Sequence, residues 1–237
     1  MEVLKNRSQI NTSRAELKRR GMSQVTSPIM KLIHRLRFSS AVSVGDQIKS
    51  WDVLRTLQFL EGSVAKDQPI MDIGCYASEI LMALHQAGYT RLSGADLNPD
   101  IRNMPCQDEI HYEITDFMNT PFPDNSFSAI TSISVIEHGF KQRALLTEMS
   151  RLLAPGGYFI ASFDYWPDKI DTTGVKFFDI EWTIFSKQEI NTFTTDAASY
   201  DLYPVGEMNQ LGSERPIKCG GREYTFGWMA LRKKQST

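Results

Sequence analysis

The chain has 237 residues, 41% hydrophobic and 23% charged, with a formal net charge of −2. These values fit one soluble α/β domain with an extension and a full core. They leave no apolar run long enough to span a bilayer and no signal-peptide pattern. Cys75, Cys106 and Cys219 are scattered, with no C-x-x-C or paired Cys/His spacing. Structural zinc is therefore not expected, and a reducing, cytoplasmic setting is.

The small net charge hides an asymmetry, since residues 1–40 hold nine Lys/Arg against two Asp/Glu. Residues 1–27 are polar and carry Lys18-Arg19-Arg20, which predicts a partly helical or loosely ordered arm. From Pro28 to Phe38, Ile29, Leu32, Ile33 and Leu36 recur at helical spacing among Lys31, Arg35 and Arg37. Two readings stand open: a helix covering the domain, or a membrane-surface helix. Asp46 to Leu60 reads as a second helix with Trp51, Leu54 and Leu57 on one face. We divide the chain into a basic arm with cover helices, residues 1–60, and a ligand-binding domain, residues 61–237.

The stretch from Pro69 to Asp100 organises the rest. Pro69-Ile70-Met71-Asp72 leads into Gly74 as a short buried strand. Ala77 to Gly88 reads as a helix, with Ile80, Leu81, Leu84 and Ala87 on one face and Gly88 as its stop. Ser78 and Glu79 fall in its first turn, where the dipole favours an anion. Arg91 to Asp96 is a second strand ending in an acid about 22 residues beyond Gly74, near the spacing of a ribose-binding carboxylate. A dinucleotide site needs G-x-G-x-x-G, and Tyr76 and Glu79 stand at the later glycine positions, so a pyrophosphate reading fails.

Farther on, Glu109 to Thr115 is a third strand ending at Asp116-Phe117. The loop Thr120-Pro121-Phe122-Pro123-Asp124-Asn125 introduces a fourth strand ending near Ser132, followed by Glu137-His138. Lys141 to Leu153 is a helix stopped by Ala154-Pro155-Gly156-Gly157, and Tyr158 to Phe163 is a fifth strand. Asp164 to Thr183 is irregular, with Trp166 and Phe177-Phe178 forming either a pocket wall or a minor core. Ser186 and Glu189 make a capping box. Ser199 to Val205 and Glu223 to Leu231 are the last strands, joined across Met208 to Gly221 by a long exposed connection.

Five of these motifs in this order, Asp72-Ile73-Gly74, Asp96, Asp116-Phe117, Pro121 to Phe127 and Pro155-Gly156-Gly157, resemble the class I S-adenosylmethionine-dependent methyltransferases. The resemblance covers roughly residues 69–163 well and the last third loosely. The family's first motif is acid-x-Gly-x-Gly-x-Gly; this chain keeps Asp72 and Gly74 and departs at Tyr76 and Ser78. The resemblance implies a Rossmann-like α/β fold, a seven-stranded and mostly parallel sheet with one antiparallel strand and helices on both faces. It implies S-adenosylmethionine as cofactor, with Asp72, Gly74, Cys75 and Tyr76 under its methionine part. Asp96 would meet the ribose, with Leu97 beside it in the cofactor site, Asp116-Phe117 the adenine, and Ser132 the fourth strand's end. Asp116 reads equally as a turn cap.

His138 is the candidate general base, because imidazole titrates near neutral pH; its other reading is a helix cap. Glu137 would orient His138 or bond the cofactor, and Asp164 would orient the substrate or the histidine. The expected acceptor is a small molecule, with a hydroxyl favoured over an amine because a hydroxyl benefits from a base. The chain also lacks the Asn/Asp-Pro-Pro-Tyr/Phe motif of related amino-methyltransferases, reading Ser132-Ile133-Ser134-Val135 there. Anionic, sugar-like and aromatic acceptors all stay open. No nucleic-acid partner is expected, and peripheral membrane contact by the basic arm is the alternative to attraction of an anionic substrate. The rival class is a methyltransferase-like binding or scaffold protein without catalysis.

Overall fold

The computed structural model describes residues 1–25, 42–177 and 179–235. The expected helix from Pro28 to Phe38, His34 and Phe178 lie outside them.

The stretch around Gly74 folds as its apolar pattern dictates. Strand β2 (Ile70–Ile73) is buried at all four residues. Ile70 packs into one hydrophobic layer and Met71 into the other, the two-residue alternation of a strand covered on both faces. Helix α3 (Ile80–Gln86) starts later than the sequence predicts. The backbone from Cys75 to Ser78 is a turn instead, with Ala77 at φ 60°. Strand β3 (Leu92–Asp96) pairs parallel with β2, and β4 (Ile110–Ile114) pairs parallel with β3. The chain then crosses back, so that β5 (Phe127–Ile133) lies on the other side of β2, with β6 (Leu153–Tyr165) parallel beyond it. Strand order therefore reverses between β2 and β5, and open α/β sheets hold ligands at such a switch point, beyond the strands' C-terminal ends.

Strand β11 (Arg222–Lys233) closes the sheet antiparallel to β6. Three short strands also join β11 antiparallel: β1 (Glu2–Val3), β9 (Leu202–Pro204) and β10 (Ile217–Cys219). The described sheet has nine strands, its parallel part and its antiparallel end as expected. The connection from Met208 to Gly221 is less exposed than its composition predicts: it holds β10, and Gln210 is buried with its carbonyl accepting from the Tyr165 hydroxyl at 2.8 Å. The turn at Ala154-Pro155-Gly156-Gly157 survives as an irregularity within β6, where pairing with β5 jumps from Leu153 to Tyr158.

Helices α4 (Gln142–Leu152) and α5 (Lys187–Ala198, with its Ser186/Glu189 capping box) bury Leu145, Met149 and Phe193 on one face. The other face is covered by α3 and by two N-terminal helices, α1 (Arg7–Arg19) and α2 (Ser50–Ser63), through Leu17, Leu57 and Leu60. The first 25 residues are thus partly helical but not loose: β1 adds to the sheet and α1 packs on α2. Between β6 and α5, β7 (Lys176–Phe177) and β8 (Ile180–Glu181) form a separate small hairpin.

Candidate active site

A cavity of about 660 Å³ opens at the switch point, within the roughly 300–1,000 Å³ usual for small-molecule sites. Its floor comes from strand ends: Gly74 after β2, Asp96 at the end of β3, Ile133 at the end of β5, and Ser134 and Val135 after it. Gly74 has φ +65°, and a Cβ there would lie 2.5 Å from Val135, so the two strand ends approach closely only because this residue is glycine. Leu97, Asn98 and Phe117 also line the cavity. Gly45, Asp46, Lys49 and Val53 bring the N-terminal segment to the wall, joined by His138 and Ile180.

Asp96 ties the loop to the strand. One carboxylate oxygen accepts from the Tyr76 amide at 2.9 Å and the other from the Asn98 amide at 2.8 Å. Tyr76 thus contributes its backbone where the family pattern has glycine. Glu79, at the helix entry, meets the Arg14 guanidinium in a buried two-pronged ion pair at 2.5 and 2.9 Å. Arg14 also donates to Ser50, Ser23 and the Asp46 carbonyl, so one side chain joins α1, the start of α2 and the loop. Gln24 adds a backbone bond to Glu79 at 3.0 Å.

Several expected residues lie behind the cavity wall. Asp72 is buried beneath the loop, accepting from the Thr131 hydroxyl at 2.6 Å, and burial pushes its carboxyl up to about 7. Cys75 is fully buried, and burial pushes its thiol up. Ser132 sits between Ile73 and Ala161 inside the sheet, because β5 runs on through Ile133; Ser134, at φ 55°, reaches the cavity instead. Asp116 accepts from the Met118 amide at 2.8 Å, the turn-cap geometry, and only its neighbour Phe117 lines the cavity. Trp166 and Phe177 pack, partly buried, against the main core rather than on the cavity wall; Phe177 packs edge-on to Trp182, and Ile180 takes the place on the wall. That placement needs Gly139, whose φ is +62° and whose Cβ would lie 2.4 Å from Ile180.

His138 lines the cavity. Burial holds its imidazole below the usual 6.5, with the Asp164 charge opposing and the Lys49 charge assisting. The ring is therefore neutral near pH 7, and its Nδ1 is buried and unpartnered. Glu137 and Asp164 are 1% and 4% exposed and stand behind His138 rather than on the wall. Asp164 accepts from the Trp182 indole at 2.7 Å.

Lys49, just before α2, is the residue that pattern reading passed over. Its ammonium bonds the Ser134 hydroxyl, lies 3.7 Å from Asp164, and sits 3.7 Å above the Phe226 ring. Burial works against its charge, but Asp164, Asp52, Glu137 and Asp46 outweigh that and hold the ammonium above its usual value. Of the six described basic residues before position 21, none lines the cavity. Arg14, Arg19 and Arg20 pair instead with Glu79, Glu16 and Glu61.

These residues fit S-adenosylmethionine, the cofactor that the sequence resemblance implies. The cavity lies at the strand ends, and Asp96, Lys49 and the turn from Tyr76 to Ser78 all line it. Among the described residues, no group of three or more His, Cys, Asp or Glu is arranged to hold a metal ion, and no helix is long and apolar enough to cross a membrane.

Residues 71–161 match the family model described as a methyltransferase domain. The chain is 28% identical over 140 residues to the sterol 24-C-methyltransferase erg-4 of Neurospora crassa, covering 56% of this chain and 37% of that protein. It is 36% identical over 137 residues to a probable tRNA methyltransferase 9B of Homo sapiens, covering 53% and 27%. The chain thus spans about a third of the length of these curated relatives. Among solved structures, a putative sarcosine dimethylglycine methyltransferase from Galdieria sulphuraria superposes with a TM-score of 0.59 at 16% identity, covering 94% of this chain and 98% of that one. Matched domain, strand order and a cavity at the switch point agree: residues 71–161 match a methyltransferase domain, and the chain has the fold of the class I S-adenosylmethionine-dependent methyltransferases.

Proposed function

We propose that this chain transfers a methyl group from S-adenosylmethionine to a hydroxyl of a small, uncharged acceptor, with His138 as general base. The observation that carries this reading is His138 itself: a neutral imidazole in the cavity wall. When bound, the cofactor supplies a methyl group already activated on sulfur. The chain's own residues then position, shield and deprotonate. In this reading Asp96 would meet the ribose, Leu97 and Phe117 the base, and Lys49 and Ser134 the methionine end; all of them line the cavity. Val53, Ile133, Val135 and Ile180 form apolar walls that exclude water from the acceptor end. A neutral imidazole accepts a hydroxyl proton there, a contribution of roughly 10²–10⁴-fold.

The charge pattern favours an uncharged acceptor over an anionic one. Lys49 is already held among carboxylates, and the arm's described cations pair elsewhere. A phenol or a sugar hydroxyl both suit such a wall. We read residues 1–60 as the cover of this cavity rather than a separate unit, since Gly45, Asp46, Lys49 and Val53 line it and Arg14 holds Glu79.

The test is a labelled-methyl transfer screen over phenols, sugars, amines, carboxylic acids and tRNA. A hydroxyl acceptor is expected, with His138→Ala lowering the maximal rate by roughly 10²-fold or more while S-adenosylhomocysteine binding is retained. Transfer only to an amine, a carboxylate or tRNA would overturn the acceptor class. Cofactor binding without transfer to any class would favour the non-catalytic rival.

A further inference from the structure

Behind His138 the interior holds more carboxylates than cations. Asp52, Glu137 and Asp164 are 0%, 1% and 4% exposed, and Lys49 is the ammonium set among them. They come from separate elements: Asp52 from α2, Glu137 from the turn after β5, and Asp164 from β6. Asp52 accepts from the Ser162 hydroxyl at 3.2 Å through one oxygen, and its other oxygen is buried without a partner. One Asp164 oxygen likewise accepts no hydrogen bond and has only the Lys49 ammonium at 3.7 Å, and neither Glu137 oxygen accepts one. On the neighbouring residue, His138 Nδ1 is buried and unpartnered as well. Buried polar atoms are rarely left unbonded, and here five of them gather around one lysine. Three ionised carboxylates against one ammonium in a buried site repel each other, and the favourable arrangement keeps protons shared among them.

We propose that Lys49, Asp52, Glu137 and Asp164 form a buried proton-sharing cluster that receives, by way of His138, the proton given up by the acceptor hydroxyl. This rests on the reading of His138 as base. As the acceptor oxygen takes the methyl group, its O–H bond breaks and the proton goes to the imidazole. No carboxylate oxygen lies within hydrogen-bond reach of the buried nitrogen, so the imidazolium passes its proton through a bridging water to a carboxylate, which becomes a carboxylic acid. One positive charge leaves with the transferred methyl, one carboxylate charge is neutralised, and the ring returns to its neutral form. The cluster residues are positioning residues, acting through His138.

The titration tendencies agree. Burial pushes Asp52 up to about 7 and Glu137 up to about 8, with Lys49 opposing both shifts and Asp164 adding to them. The other groups facing the cluster are Asp46 before α2 and Tyr224 from β11, whose phenol burial keeps protonated. Cys219 from β10 acts on Tyr224 in turn.

The test follows the His138 ring by NMR across pH in the full chain, its signal assigned by loss in His138→Ala. Wild type should show a midpoint below 6.5 and a second inflection from the carboxylates. Lys49→Met should raise the midpoint by about half a pH unit or more, and Glu137→Gln should remove the second inflection. Asp52→Asn, isosteric and not itself lining the cavity, should also change the curve, and serves if either other variant fails to fold. A single inflection that is unchanged in the folded variants would overturn the cluster while leaving His138 as base. Methyl transfer that survives His138→Ala would overturn the proton route, even with the coupled titration intact.

Discussion

Arg14 is a buried cation that donates to Ser50, Ser23, Asp46 and Glu79, so removing it strands the Glu79 carboxylate without its partner. Breaking a buried pair from one side costs about 3–5 kcal/mol. Arg14→Met should therefore lower the urea unfolding free energy by that amount, and the Arg14→Met/Glu79→Leu double variant should recover part of it. Because Glu79 stands at the entry to α3, the single variant should also weaken S-adenosylhomocysteine binding in calorimetry. Unchanged affinity would mean that the pair holds only the fold. Gly74 gives a second test. An alanine there must adopt φ +65° and press on Val135, a strain of about 1–3 kcal/mol. Gly74→Ala should show that loss in a melting experiment, and a weakened cofactor affinity with it.

At the level of elements, the chain's local patterns carry β2 through α5 because each has a period or a stop of its own. Ile70 to Gly74, the face of Ala144, Leu145, Met149 and Leu152, and the Ser186/Glu189 box all declare themselves locally. Strands β1 and β10 do not. They are two and three residues long and exist because β11 offers its edge, information that lies 200 residues away for Glu2. The polar face of α2 was legible in part: Asp52 and Thr56 are four apart and share a side of the helix. Both are buried against the sheet, Asp52 on Ser162 and Thr56 under the Trp228 indole at 3.0 Å. Reading only the apolar face of this helix hid Lys49 and the cluster. Ser132 faces away from the cavity for a different reason, since a one-residue difference in where a strand ends moves a side chain to the opposite face, while Asp116, beyond the end of β4, takes its turn-cap reading. The packing of α1 also changes what a truncation should do. Deleting residues 1–25 removes β1, α1 and Arg14, so cofactor affinity should fall along with turnover and thermal stability. A truncated protein of unchanged affinity and stability would contradict the structural part assigned to this segment.

For the whole molecule, the buried carboxylates set the pH dependence of stability. Asp52 and Asp72 ionise near 3.8 when unfolded and near about 7 when folded, burial being the main cause. Between those values the folded chain holds protons that the unfolded chain has released. Stability should therefore fall as pH rises from about 4 to about 7, and on to about 8 through Glu137, by at most about 1.4 kcal/mol per pH unit for each group. Urea titrations across this range measure it, and Asp52→Asn should flatten the slope; stability rising through the same window would reverse the assignment. The central claim is that the cavity at the switch point holds S-adenosylmethionine through Asp96. Isothermal calorimetry with S-adenosylhomocysteine tests it most directly, comparing the wild-type chain with Asp96→Ala. The expected result is one site per chain with micromolar affinity, weakened by about tenfold or more in the folded variant, equivalent to about 1.4 kcal/mol. No heat of binding in wild type at millimolar ligand, or equal affinity in both proteins, would contradict it.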